Sequence, residues 1–276
     1  MSEAEVVAST PGLPLTRRRA VEELRALGIT PGTTMLVHTS LRSLGWVVGG
    51  AETVVLALEE AVGPTGTVVM PAFSLSAPEP SRWVAPPVPE AWWATIRRDW
   101  PPFDVDLTPT RGIGVVPETF RRQRGTLRSV HPTTSFCARG PLAVELLREH
   151  SLDFGLGEGS PLARLYDRGA HVLLLGVDHS TNSSLHLAEY RSDWVGRDRR
   201  QEFAGRIVRG DREESVRFED IEGTSDDFAE LGREFESSTG AVTVGRVGAA
   251  TARRMEQRPL VDYGVRWLAE HRPRAA

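Results

Sequence analysis

One cysteine, Cys137, stands in 276 residues. A lone thiol excludes an intramolecular disulfide and any cysteine-rich zinc pattern, and it suits a reducing compartment; a small core residue is its simplest reading. Long apolar runs are missing too. The best of them, HVLLLGV at 171–177, has the length of a buried strand and falls short of the roughly 18 residues a membrane span needs. The opening stretch MSEAEVVASTPGLPLTRRR has no apolar segment after a basic start, so no signal peptide and a cytoplasmic location are expected. Neither sign of charge dominates: 33 basic against 37 acidic residues leave −4, which gives no footprint for nucleic acid. No internal repeat or coiled-coil heptad is found. A chain of this length can bury enough surface to hold one domain over 1–276 without disulfides or a structural metal.

Several catalytic signatures are absent as well. There is no GxxxxGK phosphate loop, no six-residue dinucleotide glycine pattern, no GxSxG elbow (GEGSP at 157–161 lacks that order) and no HExxH. These absences argue against an ordinary NTPase, a serine hydrolase and a zinc protease, and no metal is expected.

What is present is α/β grammar. TRRRAVEELRAL at 16–27 reads as an amphipathic helix capped by Thr16 and stopped by Gly28. TTMLVH, then the helix AETVVLALEEAV, then GTVVMPAF stopped at Pro71 form a βαβ unit with a right-handed parallel crossover. From Ala77 to Pro109 the texture changes to proline and tryptophan. We expect an ordered insertion over 77–109, with a short helix at 90–98 and with Trp83, Trp92, Trp93 and Trp100 at least partly covered; a pocket wall and the packing of a long connection both fit it. Helices starting near Pro117, Pro141 and Pro161, the strand HVLLLG, a hairpin over 201–221 turning at Gly210 and Asp211, and a final helix, strand and helix complete the chain.

Open α/β sheets bind ligands beyond the carboxyl ends of their strands, and three polar clusters fall there. HTSLRSLGW at 38–46 places His38, Thr39, Ser40, Leu41 and Arg42 after a strand, where hydroxyls and amides can meet an anion or a carbonyl oxygen. A second cluster joins Arg111, Gly112, Ile113 and Gly114 to His131, which the following proline holds extended and which fits a catalytic or a structural role. In the third, VDHSTNSSLHLAEY, Asp178, Asn182 and Ser183 precede His186 and Glu189, whose spacing puts imidazole and carboxylate on one helical face. A carboxylate that orients an imidazole makes a general base. A structural histidine and a metal ligand, the latter with Asp178 and His179, remain open, and Glu189 could instead pair with Arg191 or Arg197. Between Glu219 and Glu236 eight carboxylates face one arginine, which suits either a polar surface or one wall of a site for a polycation.

VHTSLRSLGWVVGG, VMPAFS, PTRGIGVVPETFR, RSVHPTTSFCARG, GEGSPLARLYDRGAHVLLLGV and SSLHLAEY, in that order from about residue 16 to 270, strongly resemble the aminoglycoside 3-N-acetyltransferase family, which is distinct from the GNAT acetyltransferases. The resemblance implies a three-layer α/β/α arrangement around a mixed, largely parallel sheet. It implies transfer of acetyl from acetyl-CoA to the 3-amino group of a 2-deoxystreptamine aminoglycoside; acetylation of another small amine and noncatalytic binding are the competing readings. By the same analogy His186 is the base and Glu189 its partner, Thr39 and Ser40 with Arg111 to Gly114 form the coenzyme side, and Asp178 with the 181–184 loop belongs to the acceptor pocket. His179 departs from the pattern, which leads one to expect a smaller residue and a different pocket shape there. A monomer and a homodimer are both compatible with the sequence.

Overall fold

Apolar residues in the first seventy positions switch between helical and strand periods, and the chain follows them. In the computed structural model, which describes residues 3–74, 77–83 and 86–272, α1 (Glu3–Ser9) and α2 (Arg17–Ala26) precede β1 (Thr34–Thr39), α3 (Gly50–Val62) and β2 (Thr67–Pro71). The insertion carries α4 (Trp93–Asp99); then come α5 (Val115–Arg122), β3 (Leu127–Arg128), β4 (Phe136–Arg139), α6 (Ala143–Leu147), α7 (Pro161–Asp167) and β5 (His171–Leu175). The last third holds α8 (Ser184–Arg191), the hairpin β6 (Arg200–Arg209) and β7 (Arg212–Ile221), α9 (Phe228–Thr239), β8 (Val242–Val247), β9 (Ala250–Glu256) and α10 (Gln257–His271).

Seven strands form one sheet in the order β3-β4-β2-β1-β5-β9-β8, and the hairpin stands apart. The centre, β2-β1-β5, is parallel. β4 and β9 run against it and the outer β3 and β8 run against them in turn, so all but β4 and β9 point one way in a mixed sheet. Period-two alternation sorts the strand side chains into two layers. Met35, Val37, Val68, Met70, Leu173 and Leu175 pack with Val21, Leu24, Leu58 and Phe120 from α2, α3 and α5. Leu36, Val69, Val172 and Leu174 pack with Leu146, Leu162, Leu185, Leu231 and Leu260 from α6 to α10. The result is the three-layer α/β/α arrangement. Among the described residues no helix is long and apolar enough to cross a membrane.

Five elements depart from the sequence reading: α1 and β3, which it did not contain, and three more. The helix near Pro141 is short, because Arg148 already has ψ 150° and Glu149 takes φ 46°, which no helix continues. β4 and β9 were not foreseen. In β9 two arginines stand opposite Leu173 and Leu174 of β5, and each needs a distant acceptor: Arg253 bonds Glu236 at 2.8 Å and Arg254 the Gly28 carbonyl at 3.3 Å.

The insertion is pinned to the hairpin. The Phe103 amide donates to the Arg206 carbonyl (2.7 Å), its carbonyl accepts from the Val208 amide (2.8 Å), and its buried ring lies under the Arg128 guanidinium at 4.8 Å. Trp83 and Trp100 meet edge to face at 5.7 Å, whereas Trp92 is 57 % exposed. Val84 and Ala85 of the expected insertion, and 273–276 of the expected domain, lie outside the described residues.

Candidate active site

The parallel strands β1, β2 and β5 end together, and the segments that leave them meet. His38, Thr39, Ser40, Leu41 and Arg42 after β1, Pro71 and Phe73 at β2, Val177 beyond β5, Ser183 and His186 at α8, and 112–115 before and at the start of α5 line one cavity of about 560 Å³. This is where an open α/β sheet is expected to hold a ligand.

α8 presents the central pair. Its residues Leu185, Leu187 and Ala188 are buried against the sheet, which turns His186 toward the cavity with its side chain 25 % exposed. His186 Nδ1 lies 2.6 Å from Oε2 of Glu189, a carboxylate with no exposed surface. The His186 ring rests on Phe228, centroids 4.9 Å apart. The other Glu189 oxygen, Oε1, accepts from the Thr224 amide at 3.1 Å and from Arg272 Nη1 at 2.6 Å. Arg272 in turn donates through Nε to Asp227 Oδ2 at 2.6 Å, through Nη2 to Asp227 Oδ1 and to the Thr224 carbonyl at 2.9 Å, and lies over the Trp194 ring at 5.0 Å. With Nδ1–H donating to the carboxylate, Nε2 is the free acceptor. The partners open to Glu189 in the sequence are engaged elsewhere: Arg191 pairs with Glu158 at 2.6 Å, and Arg197 donates to the Tyr190 carbonyl at 3.1 Å. The sequence does not single out Thr224, Phe228 and Arg272, and it offers Asp227 only as one carboxylate of the acidic run, since only the fold brings them to α8.

The coenzyme-side residues converge with one exception. His38 is buried, its Nε2 accepts from the Ser183 amide at 3.3 Å, and burial, with smaller contributions from His186 and His179, holds its pKa down to about 3. It is a neutral ring that ties β1 to α8. Thr39 Oγ1 is buried at the cavity and has no protein partner among the described residues, an unspent donor in a place where one is costly to leave unmade. Gly112 and Gly114 take φ of 75° and 87°, values that side-chain-bearing residues avoid, and so deliver the amide-rich start of α5 to the cavity wall. An unpaired hydroxyl beside a helix N-terminus fits a thioester oxygen and an anionic tail. Arg111 is the exception: its amide donates to the Phe73 carbonyl at 2.8 Å, and its guanidinium stands 5.9 Å from the Trp100 ring, off the cavity lining.

The acceptor-side residues are scattered. Ser183 lines the cavity. Asp178 accepts from the Ser180 amide (3.0 Å) and hydroxyl (2.5 Å), bonds that hold its carboxyl below the usual range, and it lines a neighbouring cavity of about 510 Å³ with Ser43 and Arg253. The two cavities share Val177, Ser180 and Thr181. Asn182 is used internally: its carbonyl accepts from the Ser184 amide at 3.2 Å and its nitrogen faces His179 Nδ1 at 3.3 Å. His131 is fully buried, its Nε2 donates to the Leu152 carbonyl at 3.0 Å, its Nδ1 accepts from the Thr134 amide at 3.0 Å, and burial holds its pKa down to about 4. With both nitrogens occupied it braces the 150–155 loop, and it does not reach the cavity. His179, where the resemblance leads one to expect a smaller residue, points away as well. It bonds Glu236 Oε1 at 3.0 Å and fills the space where a Cβ on Gly232 would overlap its ring. The metal alternative is therefore not assembled: Asp178 and His179 have their own partners, and no group of three metal-ligating side chains occurs among the described residues.

A model of the aminoglycoside 3-N-acetyltransferase family matches residues 36–269. The SPbeta prophage-derived aminoglycoside N(3')-acetyltransferase-like protein YokD of Bacillus subtilis is 42 % identical over 269 residues, covering 96 % of each chain. The aminoglycoside N(3)-acetyltransferase VIII of Streptomyces fradiae is 36 % identical over 97 % of this chain and 96 % of its own. Among solved structures, YokD superposes with a TM-score of 0.93 over 99 % of this chain and 100 % of its own, at 38 % identity. AAC-IIIb in binary complex with CoASH gives 0.82 at 32 % identity over 95 % and 98 %, and AAC-VIa bound to sisomicin gives 0.84 at 30 % over 95 % and 100 %. Similarity of this extent over nearly the whole chain shows that this chain belongs to the aminoglycoside 3-N-acetyltransferase family, acyltransferases whose acetyl donor is acetyl-CoA.

Proposed function

We propose that the enzyme acetylates the 3-amino group of 2-deoxystreptamine aminoglycosides by direct transfer from acetyl-CoA, with His186 as general base. The observation that carries this reading is the His186–Glu189 pair, whose only open ring nitrogen, Nε2, belongs to a residue lining the cavity that also holds the unpartnered Thr39 hydroxyl.

An aminoglycoside amine is largely protonated near neutral pH, and only its neutral form attacks a thioester. The ammonium gives its first proton to water; His186 Nε2 then takes the proton that the neutral amine sheds as the C–N bond forms, and the buried Glu189 carboxylate stabilises the resulting imidazolium through Nδ1–H. Negative charge develops meanwhile on the thioester oxygen, where the Thr39 hydroxyl and nearby amides are suited to receive it. When the tetrahedral centre collapses, the C–S bond breaks and the imidazolium returns its proton to the leaving thiolate. No acyl-enzyme is needed. The one thiol in the chain speaks against one, since Cys137 is fully buried on β4 and burial pushes it up to about 12. On the acceptor side the exposed Glu222 and Asp226 flank Thr224, the residue that bonds Glu189, and with the exposed Glu230 on the first turn of α9 they suit a polycationic sugar.

The test is CoA thiol release from acetyl-CoA, with and without a panel of deoxystreptamine aminoglycosides, in wild type and His186→Ala. We expect release that requires an acceptor and falls by about 10²- to 10⁴-fold in the variant. No release with any member of the panel would move the acceptor to another amine, and release without any acceptor would mark a hydrolase.

A further inference from the structure

Glu189 has no exposed surface, yet it is asked to carry a full negative charge against His186. A carboxylate removed from water needs donors and cations around it, or its charged form becomes prohibitively costly. One such donor is the Thr224 amide. The only cation bonded to Glu189 among the described residues is Arg272, which follows α10 and lies 83 positions further along the chain. Its side chain is 10 % exposed and its fork is fully specified: Glu189 on one Nη, Asp227 on Nε and the other Nη, the Thr224 carbonyl beside Asp227, and the Trp194 ring over one face. Trp194 is itself fixed by donating its Nε1–H to the Glu189 carbonyl at 2.9 Å. A guanidinium held on so many sides cannot swing away from Glu189 without breaking the loop 224–227 as well. Helix α8 alone therefore does not complete the pair: the segment after α10 closes the charge balance.

We propose that Arg272 is a positioning residue for the acetyl transfer, acting through Glu189 on His186 and never touching either substrate. The proposal rests on the reading of His186 as the base. Arg272 compensates the Glu189 charge and locks the carboxylate plane so that Oε2 faces Nδ1. Asp227 locks Arg272 in turn. Loss of the guanidinium leaves Oε1 of Glu189 with the Thr224 amide alone, so the carboxylate plane is free to rotate against His186 Nδ1, and the Nε2 lone pair then loses the orientation that the chemical step needs. Substrate contacts are untouched, so the effect belongs in kcat.

The experiment compares wild type, Arg272→Ala, Arg272→Lys and Asp227→Asn by thiol release, with acetyl-CoA affinity measured by calorimetry and folding by thermal melts. Arg272→Ala is expected to lose kcat by about 10- to 100-fold, the range seen when an orienting partner of a working group is removed, while KM for acetyl-CoA changes by less than about twofold. Guanidinium ion at millimolar concentration should restore part of the lost rate, matched sodium chloride none, and Arg272→Lys should fall between. Wild-type kcat in a folded Arg272→Ala protein overturns the proposal. So does a loss shared equally by kcat, acetyl-CoA affinity and melting temperature without rescue, since that outcome makes Arg272 a structural tie only. His186→Ala separates the two claims: full turnover in that variant removes the base and this proposal together, whereas an inactive His186→Ala beside an unimpaired Arg272→Ala removes Arg272 alone.

Discussion

Glu189→Gln is the sharpest perturbation of the site, because it keeps the shape and removes one acceptor. Glu189 receives three donors on two oxygens: His186 Nδ1 at 2.6 Å, Arg272 Nη1 at 2.6 Å and the Thr224 amide at 3.1 Å. Glutamine has a single side-chain oxygen. If that oxygen faces His186, its NH₂ confronts the Arg272 and Thr224 donors at a position with no exposed surface. If it faces Arg272 and Thr224, the NH₂ confronts Nδ1, which must then accept, and the ring proton moves to Nε2 where the base is needed. The first arrangement is productive but leaves two buried donors unmet, at about 1–3 kcal/mol each. It therefore lies about 2–6 kcal/mol above the second, and at 1.36 kcal/mol per tenfold, turnover should fall by roughly 30-fold to 10⁴-fold. Reversing the tautomer of a serine protease histidine has a cost of about 10⁴, at the upper end of that range. The assay is kcat from thiol release at saturating acetyl-CoA and acceptor, with acetyl-CoA affinity as control, which should hold because Glu189 has no surface to offer a ligand. Glu189→Asp keeps the charge and should retain more turnover than Gln. A folded Glu189→Gln enzyme within about threefold of wild type, or an Asp variant worse than Gln, would refute the tautomer reasoning.

Thr39→Val removes a buried hydroxyl with no protein partner among the described residues, so thermal melts should stay level or rise while kcat falls by about 10²-fold; a lower melting temperature with kcat preserved would place the hydroxyl in the fold instead. Stability should also depend on pH through three buried histidines. Burial holds His38 and His150 down to about 3 and His131 to about 4, whereas in the unfolded chain each binds a proton below about 6.5. The unfolded state thus binds more protons, and stability is lost as pH falls from about 6.5 toward 4, by up to about 1.4 kcal/mol per pH unit per histidine. Urea midpoints at pH 7.5 and 5.0 check this, and equal midpoints would contradict it.

How much of this was legible in the sequence differs by element. The βαβ unit could be read because β1 and β2 are buried on both faces, so their apolar runs are continuous, and α2 and α3 between and before them carry stripes and stops. The hairpin could be read from the turn at Gly210 and Asp211, where the register closes on Arg209 opposite Arg212. β9 could not, because ATARRME is strand-like only once Glu236 and the Gly28 carbonyl have met its arginines. At the site, His186 and Glu189 showed themselves by local spacing on one helix. Histidine and asparagine at motif positions were harder to sort. His131 and Asn182 sit in motifs as polar as those of His38 and Ser183, and only burial and hydrogen bonding separate a brace from a cavity wall.

The acidic run from 219 to 236 illustrates why linear charge density is a poor guide to the field at a site. Four of its carboxylates are consumed inside the protein. Asp220 accepts from the Tyr190 hydroxyl, and burial raises its carboxyl above the usual range; Asp227 holds Arg272; Glu234 accepts from Trp267 Nε1 at 2.8 Å; Glu236 bonds both His179 and Arg253. Asp227 and Glu236 are paired with arginines, and charges paired at such range contribute little to a potential a Debye length away, whereas Asp220 and Glu234 are tied down by neutral donors. The exposed remainder, Glu222, Asp226 and Glu230, sits on and beside the loop that delivers the Thr224 amide to Glu189 and that Arg272 clamps through Asp227. On the proposed reading, attraction of a polycationic acceptor and orientation of the base thus depend on one short loop. A change to its backbone should disturb both, whereas a change of its exposed charges alone should move acceptor affinity and leave kcat in place.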